Sequence, residues 1–180
     1  MSQRRTGIVT ADGAPVTLLG TPVEVGMAAP DFACVALDAD EVPLVVHLAD
    51  TPATTRLFSV VPSVDTSVCE VQTVRFAYEV GRYGERVAAY TVSVDTPYAM
   101  QRFCAAKDVA NLTMLSDYRP ERSFGLGWGL LMAEDGELAR AVYVIDAAGI
   151  VRHAQIAGDS GHHPDYDSAL EALRAVADAI

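Results

Sequence analysis

The sequence predicts one α/β domain, with a central mixed β-sheet flanked by helices and entered through an N-terminal β-hairpin. Three observations carry this reading. Short β-branched, apolar runs alternate with stretches whose apolar residues recur at helical spacing. One run, Leu57 to Val61, is apolar at almost every position, as a strand covered on both faces must be. The chain has 180 residues and is 51% hydrophobic, enough to bury one ordinary core, so residues 1–180 read as a single domain.

The elements follow in order. Val9 to Leu19 is broken by Asp12-Gly13, which supplies the positive φ values of a tight primed turn, and predicts a hairpin over about residues 7–20. Ala29-Pro30-Asp31-Phe32 opens an extended segment through Leu37, because Pro30 blocks helix; an Asp-rich loop comes next. The strand Leu57 to Val61 stops at Pro62. Thr66 is then placed to cap a helix running to about Gly81, with Phe76 and Val80 on its buried face. Val87 to Val94 reads as the next strand. Asp95-Thr96-Pro97 starts a helix to Lys107, with proline at the first helical position, where its missing N–H costs nothing. Ala141 to Ile145 and Ile150 to Ile156 form a hairpin across Asp146-Ala147-Ala148-Gly149. A last helix begins after Pro164, with Tyr166, Leu170, Leu173, Ala177 and Ile180 as its docking stripe.

Charge and composition remove several function classes. Thirteen basic and 24 acidic residues give a net charge of −11, which repels phosphate backbones and anionic lipid surfaces. Neither nucleic acid nor membrane is expected as a partner. Arg4-Arg5 is followed by Thr10, Asp12 and Gly13 rather than an apolar run, so an export signal is not read there, and a cytoplasmic location is expected. In a reducing compartment, three cysteines do not make a structural disulfide framework.

The cysteines therefore need separate readings. Cys69 falls at the third position of its helix, near the unpaired N–H groups and the positive end of the helix dipole, where a thiolate is stabilised. In a capping box that position carries Glu or Gln; a thiolate could sit among the same donors. Glu70 is rotated about 100° away along the helix and should face solvent. Cys34, in an alternating segment, reads as a small core hydrophobe. His162-His163 does not read as a metal site, because neighbours on an extended segment point apart and no third ligand is spaced nearby.

Strand, helix, strand, helix and then a terminal hairpin and helix is the order of a thioredoxin-like fold, although no Cys-x-x-Cys pair is present. The stretch Phe58-Ser59-Val60-Val61-Pro62-Ser63-Val64-Asp65-Thr66-Ser67-Val68-Cys69 resembles the Pro-x-x-x-Thr-x-x-Cys signature of peroxiredoxins, within them the thiol peroxidase (atypical 2-Cys) branch. Ser93-Val94-Asp95-Thr96-Pro97-Tyr98-Ala99-Met100-Gln101-Arg102-Phe103-Cys104 is similar to that branch's resolving-cysteine segment. Pro15 to Gly20, Ala29 to Phe32 and Leu138 to Asp146 extend the likeness to nearly the whole chain.

That resemblance implies a peroxidase acting on hydrogen peroxide and organic hydroperoxides without metal or organic cofactor. Cys69 would be the peroxidatic cysteine and Cys104 the resolving one, with Pro62, Thr66 and Arg140 completing the peroxide site. It also implies thioredoxin, or a similar dithiol, as reductant, and a homodimer. The residue types suit these roles: Arg140 offers a planar fork of donors, the Thr66 hydroxyl can serve sulfur and helix cap together, and Pro62 shields the thiolate from water. A peroxide-sensing switch that passes its disulfide to a partner would share the first chemical step. The Gly-rich, apolar stretch Phe124 to Leu131 is either a flexible core segment or a wall for bulky alkyl hydroperoxides or a second subunit. Gly158 to Tyr166 departs from the family's approach to the last helix while keeping its ending. Because a disulfide needs Cα atoms about 4.4–6.8 Å apart, linking two helical cysteines should require the helices to unwind.

Overall fold

Strand β5 (Thr55–Val60) runs through the centre of the protein, and all six of its residues are buried. The structure, a computed structural model, describes residues 3–179. Around β5 a seven-stranded mixed sheet assembles in the order β10 (Val151–Ile156), β9 (Ala141–Ile145), β5, β6 (Val87–Ser93), β7 (Thr113–Ser116), β3 (Cys34–Leu37) and β4 (Pro43–Val46). β5, β6 and β7 are parallel, while the other pairings are antiparallel. Two crossover helices make the parallel part possible: α1 (Ser67–Val80) between β5 and β6, and α2 (Pro97–Lys107) between β6 and β7. The thioredoxin-like fold read from the sequence is the observed one.

Alternation along the strands sends side chains to two different cores. Leu57, Val142 and Val144 join Phe76 and Val80 of α1 and Tyr166 and Leu173 of α4 (Tyr166–Ala177). Their neighbours Phe58, Tyr143 and Ile145 face the other way, against Phe124, Trp128 and the N-terminal hairpin residues Val9 and Leu18. The terminal stripe is seen at Tyr166, Leu173 and Ala177; Ile180 lies outside the described residues.

The hairpin consists of β1 (Arg4–Ala11) and β2 (Ala14–Leu19), closed by Asp12 and Gly13 at φ of 50° and 76°. It starts earlier than expected, because pairing resumes beyond an irregularity at Gly7 and Ile8 to match Arg4 with Leu19. β2 also pairs with β8 (Leu131–Met132), making a small second sheet.

Three further departures have local causes. The extended segment before Leu37 is a strand only from Cys34, and the Asp-rich stretch after it is a hairpin turn into β4. The Asp38 carboxylate organises that turn by accepting from the N–H groups of Asp40 and Val42 at 2.9 Å. β7 is only four residues long, too short for a periodic signal. The Phe124 to Leu131 stretch takes the core placement of its two readings: it carries α3 (Ser123–Gly127), and Phe124, Trp128 and Leu130 are fully buried in the main core. Buried Asp117 receives the Gly125 N–H at 2.8 Å and the Phe124 N–H at 3.1 Å, a helix-start contact from several residues away. Burial holds the Asp117 carboxyl above its usual range, despite those bonds.

Candidate active site

Strand β5 ends at Val60, and a short turn through Pro62 leads into α1 at Ser67, so the turn carrying Cys69 is fixed beyond the carboxyl end of the central parallel strand. Cys69 is fully buried. Its sulfur receives two side-chain donors: the Thr66 hydroxyl at 2.8 Å and Arg140 Nη2 at 3.3 Å. The sulfur was expected among backbone N–H groups of the first turn, but no such bond is made among the described residues.

Thr66 occupies the N-cap position, yet its side chain accepts no helix N–H. Its one hydroxyl hydrogen goes to the sulfur, with a longer approach to the Ser63 carbonyl at 3.3 Å. The double duty expected of Thr66 is therefore corrected: only its backbone carbonyl serves the helix, accepting from Glu70 N–H at 2.9 Å.

Arg140 comes from the segment just before β9 and is 1% exposed. Among the described residues it has no carboxylate partner. Nη1 donates to Gln72 Oε1 at 2.8 Å, and Nε and Nη2 donate to the Ser160 carbonyl at 3.0 and 2.8 Å. Gln72 is itself held, donating from Nε2 to Ser59 Oγ at 2.9 Å. Sequence reasoning missed Gln72 and Ser160. Gln72 stands three residues after Cys69, on the same helix face, and that spacing is the signal that would have found it. Ser160 gave no signal, since its backbone carbonyl acts and any residue supplies one; it belongs to the divergent loop.

Pro62, Thr66 and Arg140 line one open cleft of about 350 Å³, together with Val68, Met132, Glu137 and the Ser160-Gly161 turn. Four sequence-assigned residues, Pro62, Thr66, Cys69 and Arg140, thus meet. Cys104 stands apart from the sulfur's donors: it is a free thiol on intact α2, partly buried beside the apolar cluster of Val61, Val64, Cys69, Met100 and Phe103. Burial pushes the Cys104 thiol up to about 11. Cys34 is a buried free thiol in the main core, also raised by burial. No group of three or more His, Cys, Asp or Glu among the described residues could hold a metal ion.

Residues 24–170 match the Redoxin family model.

The chain belongs to the redoxin family.

A thiol peroxidase of Listeria monocytogenes serotype 4b (strain F2365) is 42% identical to this redoxin over 166 residues, 92% of this chain and 97% of the relative. A thiol peroxidase of Bacillus subtilis (strain 168) is 39% identical over 168 residues, 93% of this chain and 97% of that one. Among solved structures, a peroxiredoxin-like protein from Aquifex aeolicus superposes on the redoxin with a TM-score of 0.82 and 33% identity, covering 97% of this chain and 98% of that one.

Glu70 and the paired histidines lie at the site's periphery. Glu70 turns to the surface, as the helix geometry requires, where Lys107 Nζ on α2 meets it at 2.8 Å. His162 is exposed, and His163 meets the Tyr166 hydroxyl through Nδ1 at 2.8 Å.

Proposed function

We propose that this redoxin is a thiol peroxidase that reduces hydrogen peroxide and organic hydroperoxides through Cys69, with Cys104 as the resolving thiol and thioredoxin or a similar dithiol as reductant. The observation that carries this is the placement of the Cys69 sulfur between a hydroxyl donor and a buried guanidinium, beside an open cleft. Thiol peroxidases at about 40% identity over nearly the full length support it.

In the first step the Cys69 thiolate attacks the terminal oxygen of the hydroperoxide. An S–O bond forms, the O–O bond breaks, and the leaving alkoxide, or hydroxide from hydrogen peroxide, takes a proton. Sulfur is oxidised by two electrons to the sulfenic acid. Arg140 donates toward the oxygens on which negative charge grows, and Thr66 holds the sulfur's lone pair in line. Pro62, with no N–H, closes one side of the cleft against water. The Cys104 sulfur then attacks the Cys69 sulfur; an S–S bond forms, the S–O bond breaks, and the hydroxyl leaves as water with the Cys104 proton. Exchange with the external dithiol returns both thiols and oxidises that partner.

The protein works in the cytoplasm as a homodimer. An exposed apolar ridge on α1, formed by Val71, Val74 and Tyr78, supports the dimer and is tested by sedimentation. A coupled assay with thioredoxin, its reductase, NADPH and cumene hydroperoxide tests the activity. Sustained NADPH oxidation is expected, lost in Cys69→Ser and stopped after one turnover in Cys104→Ser; a single equivalent from the unaltered protein would indicate a peroxide sensor instead.

A further inference from the structure

Asp95 joins the two cysteine-bearing regions through one carboxylate. It follows β6 and immediately precedes Thr96, the N-cap of α2, whose side chain accepts the Ala99 N–H. From there its side chain reaches the loop between Pro62 and Thr66: Oδ1 accepts from Ser63 Oγ at 2.9 Å and Oδ2 from the Val64 N–H at 2.8 Å. A third donor, Ser93 Oγ, meets Oδ2 at 2.7 Å. The residue's backbone is fixed as well, its N–H donating to Ser93 Oγ at 3.2 Å and its carbonyl accepting from Ser116 Oγ. Val64, one of the two loop residues held, is buried in the same apolar cluster as Cys69, Met100 and Phe103.

We propose that Asp95 is a positioning residue, a latch that holds the Cys69 loop closed for peroxide attack and whose release is a step toward the Cys69–Cys104 disulfide. The proposal rests on the reading of those cysteines as a redox pair. Attack on peroxide needs the closed loop, since Thr66 and Pro62 belong to it. Disulfide formation needs the sulfur atoms to leave two intact helices. The Asp95 bonds to Ser63 and Val64 exist in the closed form and favour it. Removing charge-assisted bonds of this kind shifts a closed–open equilibrium by roughly tenfold for each bond lost. The two chemical steps then respond in opposite directions, which a carboxylate of merely structural importance would not produce.

Asp95→Asn keeps the shape but turns an N–H₂ group toward donors already present. With one equivalent of hydrogen peroxide, peroxide consumption reports the first step and quenched-flow mass analysis of the disulfide reports the second. In Asp95→Asn the first step should slow, and formation of the disulfide from the sulfenic acid should accelerate, each by roughly fivefold or more. Under excess peroxide, less Cys69 should reach the sulfinic acid, because the sulfenic acid is consumed faster by Cys104 than by a second peroxide. Ser63→Ala removes one donor and should show the same split at smaller size, which keeps the test open if Asp95→Asn folds poorly. Equal slowing of both steps, or no change in either, in a folded variant overturns the latch. If the unaltered protein consumes peroxide but never links Cys69 to Cys104, the redox-pair reading itself fails.

Discussion

Arg140 is a buried cation whose described partners are a thiol, an amide and a peptide carbonyl. A buried charge normally has an opposite charge beside it, and among these partners only the Cys69 sulfur can become anionic. The planar guanidinium uses three nitrogens on three different groups, a pattern that an ammonium cannot copy. Arg140→Lys is therefore expected to lower kcat/KM for peroxide by roughly 10²-fold, the size of losing a transition-state donor; an unchanged value would leave Arg140 a purely structural cation. Cys104 contributes a pH dependence on the alkaline side. Its folded-state pKa is raised to about 11, so the neutral thiol is favoured by the folded helix. The resulting stabilisation is complete below the ordinary thiol value of about 8.5 and is lost as pH climbs toward the folded one. Alkylation of Cys104, followed by mass analysis in a Cys34→Ser, Cys69→Ser background, should keep accelerating through pH 10. Levelling off near pH 9 would contradict this.

Helices α1 and α2 differ in how they start. Thr96 caps α2, with its side-chain oxygen 3.4 Å from the Ala99 N–H, whereas Thr66 spends its hydroxyl on sulfur and leaves the first turn of α1 without a side-chain cap. A missing cap is worth about 1 kcal/mol, so opening the first turn of α1 is made easier by the contact that serves the reduced sulfur. The Glu70–Lys107 pair joins the two helices at the surface and contributes little, at most about 1 kcal/mol. Oxidation should then show as faster amide exchange in the first turn of α1 and around Cys104, while the remainder of α1, packed through Phe76 and Val80, keeps its protection. Identical exchange in the reduced and disulfide forms would rule out the motion.

At the scale of the whole molecule, an aromatic layer backs the sheet that carries α1 and α2. Phe58 stacks on Tyr90 and meets Trp128 in a tilted pair, Phe124 stacks on Trp128, and Tyr143 meets the indole edge-on, all on the face opposite α1 and α4. Gly20, at φ of 103°, lets the chain pass against the Leu126 carbonyl, where a Cβ would collide. This ties the hairpin to α3. Trp128→Ala should cost about 3–5 kcal/mol of stability in denaturant unfolding, because the buried cavity cannot collapse among aromatic neighbours. A loss under 1 kcal/mol would mean the aromatic layer is not continuous.

The sequence by itself determined the features that depend on neighbours along the chain. The Asp12-Gly13 turn, the helix from Ser67 to Val80, the helix from Pro97 to Lys107 and the placing of Cys69 in a first helical turn all rest on local turn chemistry and periodicity. So does the Pro-x-x-x-Thr-x-x-Cys spacing, which brought Pro62, Thr66 and Cys69 together within eight residues. Tertiary structure decided what comes from afar. Arg140 reaches Cys69 across 71 residues, the Ser160 carbonyl fixes it from a divergent loop, and Asp95 reaches Val64 across 31. It also decided that Asp117 supports the start of α3 and that the Thr66 hydroxyl turns to sulfur instead of to the helix. Such contacts leave no period or turn signal, because they are set by the order in which strands pair and by the face each strand presents.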